Sequence, residues 1–146
     1  MIAPGTALAF YFDLARGIHQ PTDEYRIALY SAQADLSPLV ESYSTDGEIL
    51  GSPGYTAGGQ VLAGLTISMD GRVAVIDWAD PLWPNATITA RGALIYNASK
   101  GNRAMTVLDF GPSPMGEPRG YSSTNGNFLV PFPEPTAETG LIRIGG

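Results

Sequence analysis

Histidine is the side chain most often used for proton transfer near neutral pH, and this chain has one, His19. A Ser-His-Asp site would have to be assembled around it from distant residues, because no GxSxG, Walker, HExxH or GxGxxG motif is present. The chain has no cysteine, which excludes a thiol nucleophile and thiolate metal ligands. We therefore predict that His19 has a structural or surface role.

Three aspartates near predicted strand ends could also do chemistry: Asp77, Asp80 and Asp109. Two of them could form the carboxylate pair of a glycosidase, although no spacing singles out a pair. All three could instead supply oxygen ligands to a calcium ion between loops. We favour a third interpretation, in which they accept backbone N–H groups at turns. The glycosylation patterns at Asn85 and Asn97 are interpreted as chance, because the N-terminus fits a signal peptide poorly.

Aromatic residues offer one further kind of site. A platform on which sugars stack could be built from four of them: Tyr55, Trp78, Trp83 and Tyr121. Aromatic residues so close to strands and prolines are more often anchors of a core or an interface, and this is the interpretation we prefer.

The composition is compatible with a protein that other proteins cover. Charged residues make up 15% of the 146 residues, and 18 glycines and 12 prolines imply many turns. A surface with few charges is covered at low desolvation cost, which suits an assembly subunit as well as a small monomer. The net charge of −6 and the scattered basic residues argue against nucleic acid, and no apolar stretch is long enough to span a membrane.

One short helix is predicted at residues 6–16, with Thr6 as its cap and Gly17 as its stop. Apolar residues recur along it at i, i+3, i+4 and i+7: Leu8, Tyr11, Phe12 and Ala15. The opposite side, which includes Phe10, is apolar as well. We therefore expect the helix to pack against the sheet rather than a neighbouring subunit.

Strands are predicted at residues 25–30, and residues 61–69 and 72–78 are predicted to form a hairpin around Asp70-Gly71. Pairing Met69 with Arg72 puts one face toward the core: Leu65, Ile67, Met69, Ala74, Ile76 and Trp78.

A second hairpin joins residues 86–96 to 103–110, with Arg91 half covered. Residues 111–127 are then expected to be a long connection, residues 127–132 a strand and residues 141–144 a short closing strand. These elements predict one mainly β domain over residues 1–146. We expect an antiparallel β-sandwich, jelly-roll-like fold or barrel with one short N-terminal helix. Extended arms are expected at residues 1–5 and 133–146.

Three motifs resemble a family of small structural virion proteins of tailed bacteriophages. They are FYFDLARGIHQPTDEYRIALYS, STDGEILGSPGYTAGGQVL and NATITARGALIYNASKGNRAMTVLDFG, and the closing LIRI is similar too. The likeness spans most of the chain and implies a complete protein. Departures cluster at residues 112–121, where relatives are shorter.

The resemblance implies a structural part of the virion without enzymatic activity, cofactor or metal. The expected role is a capsid decoration or cement protein on the outer surface of the head shell. It would bind the major capsid protein and copies of itself, as a homotrimer, without contacting nucleic acid or membrane. The candidate interaction residues are Leu141, Ile142, Arg143, Ile144, Phe10 and Tyr121, the first four pairing as a strand with a neighbouring subunit.

Three alternatives stay open. A tail or neck component is the nearest, because such phage proteins are also small and rich in β-structure. A carbohydrate-binding β-sandwich module belongs to another class and rests on the aromatic residues. An enzyme with an unrecognised carboxylate pair is the last.

Overall fold

A computed structural model describes residues 1–111 and 121–145. These residues form a mainly β fold with one short helix, as the sequence predicts. In chain order the elements are β1 Gly5–Thr6, α1 Leu8–Ala15, β2 Tyr25–Tyr30, β3 Gln60–Val61, β4 Thr66–Asp70, β5 Val73–Asp77, β6 Leu82–Ala90, β7 Gly92–Asn97, β8 Arg103–Asp109, β9 Tyr121–Leu129 and β10 Ile142–Gly145.

The strands form three antiparallel sheets. Their orders are β1-β8-β7-β2-β3, β10-β5-β4 and β6-β9, and none of the three closes into a barrel in the described residues. Buried side chains from all three sheets join one hydrophobic cluster, which includes Leu94 of β7, Ile142 of β10 and Phe128 of β9. One continuous core of this kind is the mark of a single domain.

Strand β7 is the centre of the largest sheet. It lies between β2 and β8, and all six of its residues are buried. The predicted pairing with residues 103–110 is confirmed, since Gly92 pairs with Asp109 and Asn97 with Arg103. The prediction of one continuous strand over residues 86–96 is wrong, because the chain leaves the two-stranded sheet after Ala90 and enters the five-stranded sheet at Gly92.

Arg91 is the residue at which the chain changes sheets. Its N–H donates to the carbonyl of Tyr30 at 2.8 Å, and its own carbonyl accepts the N–H of Phe110 at 2.8 Å. The guanidinium is half-buried, as predicted, and its Nε donates to Asp109 Oδ1 at 2.8 Å. These bonds satisfy the backbone where no ladder continues.

The hairpin β4–β5 forms with a different register from the predicted one. Asp70 pairs with Val73 and Met69 with Ala74, so the two connecting residues are Gly71 and Arg72. Gly71 has φ +61°, which suits the first central position of a type II′ turn. The assignment of residues to faces is right, but Ile67 and Met69 are exposed while Val75, on the other face, is buried.

Strand β9 contradicts the prediction of a connection up to residue 127. It pairs with β6 through a ladder with two register shifts, and Asn85 and Asn125 near those shifts have φ of 50° and 46°. Asparagine tolerates this left-handed conformation better than most residues, which lets bulges form inside the pair. Residues 112–120 of the expected connection lie outside the described part of the chain.

Both segments expected to be arms pair with their own chain. Ile2 is buried and bridges to Leu36, and the N-terminal ammonium donates to the carbonyl of Ala34 at 2.7 Å. At the other end β10 pairs with β5 from Ile142 opposite Ile76 to Gly145 opposite Val73. The chain ends therefore belong to the folded body in the described residues.

Candidate interaction surface

The helix α1 turns an apolar side toward solvent. Its buried residues are Phe10 and Asp13, whereas the predicted stripe Leu8, Tyr11, Phe12 and Ala15 is exposed. Thr6 is paired in β1 and does not cap the helix, which starts after Ala7 without a side-chain cap. Both sides of α1 are apolar, so the periodicity could not distinguish the inner side from the outer one.

Asp13 anchors α1 to the five-stranded sheet. Its carboxylate is 1% exposed and accepts two hydrogen bonds from Arg103 of β8, at 2.7 Å from Nε and 3.2 Å from the terminal nitrogen. A bidentate pair of this kind fixes orientation as well as distance. It determines which side of the helix faces the sheet, and a carboxylate is the residue type that sequence reasoning would place in water.

We call the exposed apolar residues on and beside the helix the α1 surface. It comprises Leu8, Tyr11, Phe12, Leu14 and Leu39. Leu8, Phe12 and Leu39 line one concavity together with Arg16, Glu41 and Arg103, whereas Tyr11 and Leu14 line two others. The exposed fractions reach 61% for Phe12 and 75% for Leu39, and the exposed areas of the five residues sum to on the order of 500 Å². Patches of this size on soluble proteins are often functional.

The six residues proposed from sequence as interaction residues do not form one surface. In the described residues Leu141 lines one concavity with Tyr121 and another with Arg143. Phe10 and Ile142 are fully buried, so neither can contact a partner while the protein is folded. Leu141 and Ile144 are half-buried, and Arg143 is exposed. Tyr121 is 45% exposed and stacks on Phe110 at 4.9 Å between ring centroids.

His19 lies in a polar cluster beneath the end of α1. Its Nδ1 is 2.9 Å from the amide nitrogen of Asn97, which makes Nδ1 the acceptor and places the proton on Nε2. That Nε2 is buried, lies 4.0 Å from Asp13 Oδ2 and has no hydrogen-bond partner among the described residues. Burial lowers the pKa of His19 despite the nearby carboxylates. In the described part of the chain no serine hydroxyl bonds to this ring, so a Ser-His-Asp arrangement is not assembled.

Asp23 completes this cluster and makes the fold sensitive to acid. Burial alone would raise its pKa, but hydrogen bonds from Asn97, Lys100 and the N–H of Gln20 outweigh burial and lower the pKa to about 2. Lys100 Nζ lies 2.7 Å from Asp23 Oδ1. The unfolded chain therefore binds this proton at a higher pH than the folded chain does.

We expect the free energy of unfolding to fall as the pH drops from above 3.8 toward 2, because Asp23 is protonated first in the unfolded state. Protonation of Asp23 should lower the free energy of unfolding by about 2 kcal/mol. In Asp23→Asn the free energy of unfolding should lack this decrease at low pH. Urea unfolding followed by the fluorescence of the buried Trp78 and Trp83 measures it. Asp35→Asn, at an exposed aspartate, is the control and should leave the slope unchanged.

The GYTAGG turn surrounds a second buried carboxylate. The Glu48 carboxylate accepts three hydrogen bonds: from the Tyr43 hydroxyl at 2.6 Å, from the Tyr55 hydroxyl, and from the N–H of Gly58 at 2.7 Å. Burial and the hydrogen bonds to Glu48 raise the pKa of both tyrosines. With three donors bound and 8% of the residue exposed, Glu48 acts as a tie between the turn and the body.

The three aspartates singled out from sequence have separate environments. Asp80 accepts the N–H of Phe132 at 2.9 Å, as expected for a carboxylate at a turn. Asp109 accepts hydrogen bonds from Nε of Arg91 and from the N–H of Gly111. Burial alone would raise the pKa of Asp109, but these hydrogen bonds outweigh it and lower the pKa. Burial raises the pKa of Asp77. Within residues 1–111 and 121–145 no group of three or more acidic or histidine side chains is placed to hold a metal ion.

The aromatic platform, the alternative to core or interface anchors, does not form. Trp78, Trp83 and Tyr55 are at most 9% exposed and belong to the core, so they offer no stacking surface to a sugar. The preferred interpretation of core anchors is confirmed for these three residues, whereas Tyr121 is 45% exposed. Asn97, the acceptor residue of one of the two glycosylation patterns, is fully buried, and its side-chain amide donates to His19 and Asp23.

Comparisons with models of protein families, with curated proteins and with solved structures found no match to this chain. No helix in the described residues is long and apolar enough to cross a membrane.

Proposed function

We propose that this protein is a structural subunit of a tailed-phage virion, a capsid decoration or cement protein that binds the outside of the head shell. The observation that carries the proposal is the α1 surface, an apolar area rigidly attached to the body through Asp13 and Arg103. The motif resemblance is the reason for assigning the protein to a phage particle. The α1 surface is the part of the protein that we expect to bind that particle. The protein acts by binding, without catalysis or a cofactor.

Binding through the α1 surface gains free energy from apolar burial and loses it through the ordering of the groups that bind. Leu8, Phe12 and Leu39 are already fixed by the fold, so a partner that covers them gains apolar burial with little loss of backbone entropy. Three charged side chains, Arg16, Glu41 and Arg103, line the same concavity, so a partner has to pair them or leave them in contact with water. The α1 surface is smaller than the ~800 Å² that each partner gives to a standard interface. Attachment to capsid subunits therefore also uses neighbouring surface.

The test of this proposal is head binding by a variant of the α1 surface. Phe12→Ser should keep the fold, because Phe12 is 61% exposed, and should lower the affinity for heads at least tenfold. Leu50→Ser, at a leucine that is 51% exposed outside the α1 surface, should bind like the wild type. Co-sedimentation of each protein with undecorated heads measures both. Equal binding by Phe12→Ser and the wild type would contradict attachment through α1.

A tail or neck component is the second candidate, because the same apolar surface would serve a ring of subunits. The two differ in copy number per particle, which is hundreds for a shell protein and far lower for a neck ring. Quantitative mass spectrometry of purified virions separates them.

A further inference from the structure

Strand β4 is an edge strand with no strand paired to its outer side in the described residues, and at its end the N–H of Ala137 donates to Asp70 Oδ2 at 2.6 Å. It pairs with β5 on one side, and residues 1–111 and 121–145 place no strand on the other. All five of its residues are exposed. Ile67 and Met69 point to one face with exposed fractions of 58% and 68%, whereas Thr66, Ser68 and Asp70 point to the other. Edge strands are usually protected by lysine, proline or a bulge, and β4 has none of these.

The hairpin register identifies the free backbone groups of β4. A two-residue connection makes its flanking residues, Asp70 and Val73, a hydrogen-bonded pair. Such pairs alternate along an antiparallel ladder, so Ser68 also bonds to β5. The N–H and C=O groups of Ile67 and Met69 therefore point away from β5, toward the open edge.

We propose that two copies of this protein pair through β4, antiparallel, with Ser68 opposite Ser68 on a two-fold axis. In this register Ile67 of each copy lies opposite Met69 of the other, and their outward groups form four backbone hydrogen bonds. Thr66 lies opposite Asp70, so no like charges meet. Two three-stranded sheets become one six-stranded sheet. The inference goes beyond shell attachment and does not depend on it.

The strand itself selects this register. Outward groups must meet outward groups, which allows axes at Ile67, Ser68 or Met69. An axis at Ser68 overlaps all five residues of β4. An axis at either neighbour overlaps only three residues of β4, those at 66–68 or at 68–70, and leaves Met69 or Ile67 opposite a residue outside the strand.

The apolar face next to β4 favours a second copy as the occupant. Leu14 of α1 and Ile67 line one apolar groove, with Phe10 and Trp78 among its other walls. The two-fold axis is perpendicular to the sheet, so these faces lie side by side on the same side of the dimer. Leu14, Ile67 and Met69 expose on the order of 300 Å² per copy. This is below the ~800 Å² of a standard interface, so the dimer should depend on protein concentration.

A cysteine at the axis tests the register directly. The chain has no cysteine, and Ser68 is exposed, so Ser68→Cys introduces one thiol per copy. Residues facing each other in a non-hydrogen-bonded pair have Cα atoms about 4.5 Å apart, within the range of a disulfide. A glutathione redox buffer oxidises the two thiols to one disulfide and releases reduced glutathione. We expect a covalent dimer on a non-reducing gel for Ser68→Cys and at least tenfold less for the control Thr66→Cys.

A charge design tests the same pairing without a covalent bond. Ile67→Lys with Met69→Lys places like charges opposite each other across the axis and should give a monomer by light scattering. Ile67→Lys with Met69→Glu places opposite charges there and should keep the dimer, more strongly at low salt. Circular dichroism controls for folding. A monomeric wild type at millimolar concentration, equal cross-linking of the two cysteine variants, or a trimer without the Ser68→Cys disulfide would each overturn the proposal. Head binding by a wild-type monomer would leave the proposed function standing while removing this one.

Discussion

Gly59→Ala is expected to lower the free energy of unfolding by more than about 4 kcal/mol, which is most of the stability of an ordinary domain. Gly59 has φ +77°, and a Cβ there would lie 1.7 Å from the carbonyl oxygen of Ile27 and 2.9 Å from the Cα of Ala28. Both atoms belong to the backbone of β2, which is held between β3 and β7. The backbone cannot move away without breaking the sheet, so the GYTAGG turn would have to detach.

The control for Gly59 is a glycine with the same backbone conformation and free space around it. Gly51 has φ +82°, and a Cβ there would meet nothing within 4 Å. Gly51→Ala should therefore cost only the left-handed strain, about 1–2 kcal/mol. Urea unfolding followed by tryptophan fluorescence measures both variants. Similar losses in the two would show that the close approach of the turn to β2 is not part of the fold.

Glu48→Ala is expected to lower the free energy of unfolding by about 3–5 kcal/mol. The change leaves three donors without this acceptor: the buried hydroxyl of Tyr55, the buried N–H of Gly58 and the hydroxyl of the half-buried Tyr43. Each donor loses a bond that water cannot replace at a site where Glu48 is 8% exposed. The turn that follows Tyr55 would lose its main attachment.

Glu41→Ala is the matched control for Glu48→Ala. Glu41 is exposed, and its side chain makes no hydrogen bond in the described residues, so its removal should change stability by less than about 0.5 kcal/mol. The same denaturation experiment compares the two alanine variants. A small loss in Glu48→Ala would mean that the tyrosine hydroxyls find other acceptors.

The motifs that carry the family resemblance owe their residues to the fold. Arg91 in ARGALIYN pairs with Asp109 in VLDFG, and Glu48 and Gly59 tie the GYTAGG turn to the body. The first motif differs from these two, because FYFDLARG contains Tyr11, Phe12 and Leu14 of the α1 surface. The α1 surface therefore needs a binding test of its own, separate from the residues that tie the fold together.

Strands with clean alternation could be predicted from the sequence, and strands formed against local preference could not. The pattern YRIALY identifies β2, and the first hairpin was right in its faces. The pattern of residues 86–96 continues through Arg91, so nothing local marks the change of sheet there. In β9 the residues STNGN favour a turn, but pairing with β6 and two bulges overrides that preference.

The candidate surface was accessible to sequence reasoning only in part. The low charge and the doubly apolar helix both pointed to a covered protein surface. The outward side of α1 depends on a buried ion pair between Asp13 and Arg103, which are 90 positions apart in the chain. We predict from the sequence that the terminal segments are arms that pair with neighbouring subunits, whereas the structure pairs the N-terminal one with β8 and the C-terminal one with β5 of the same chain. Long-range pairings of this kind leave no periodic signal.

The most direct test of the central claim is the stoichiometry with which the wild-type protein binds heads. Under the proposed function the chain is encoded by a tailed phage. Heads of that phage, assembled without this protein, are titrated with the purified chain and sedimented, and bound protein is counted per head. Our account predicts saturable binding at hundreds of copies per head. A wild-type protein that stays in the supernatant, or that saturates at about the dozen copies of a single ring, would contradict it.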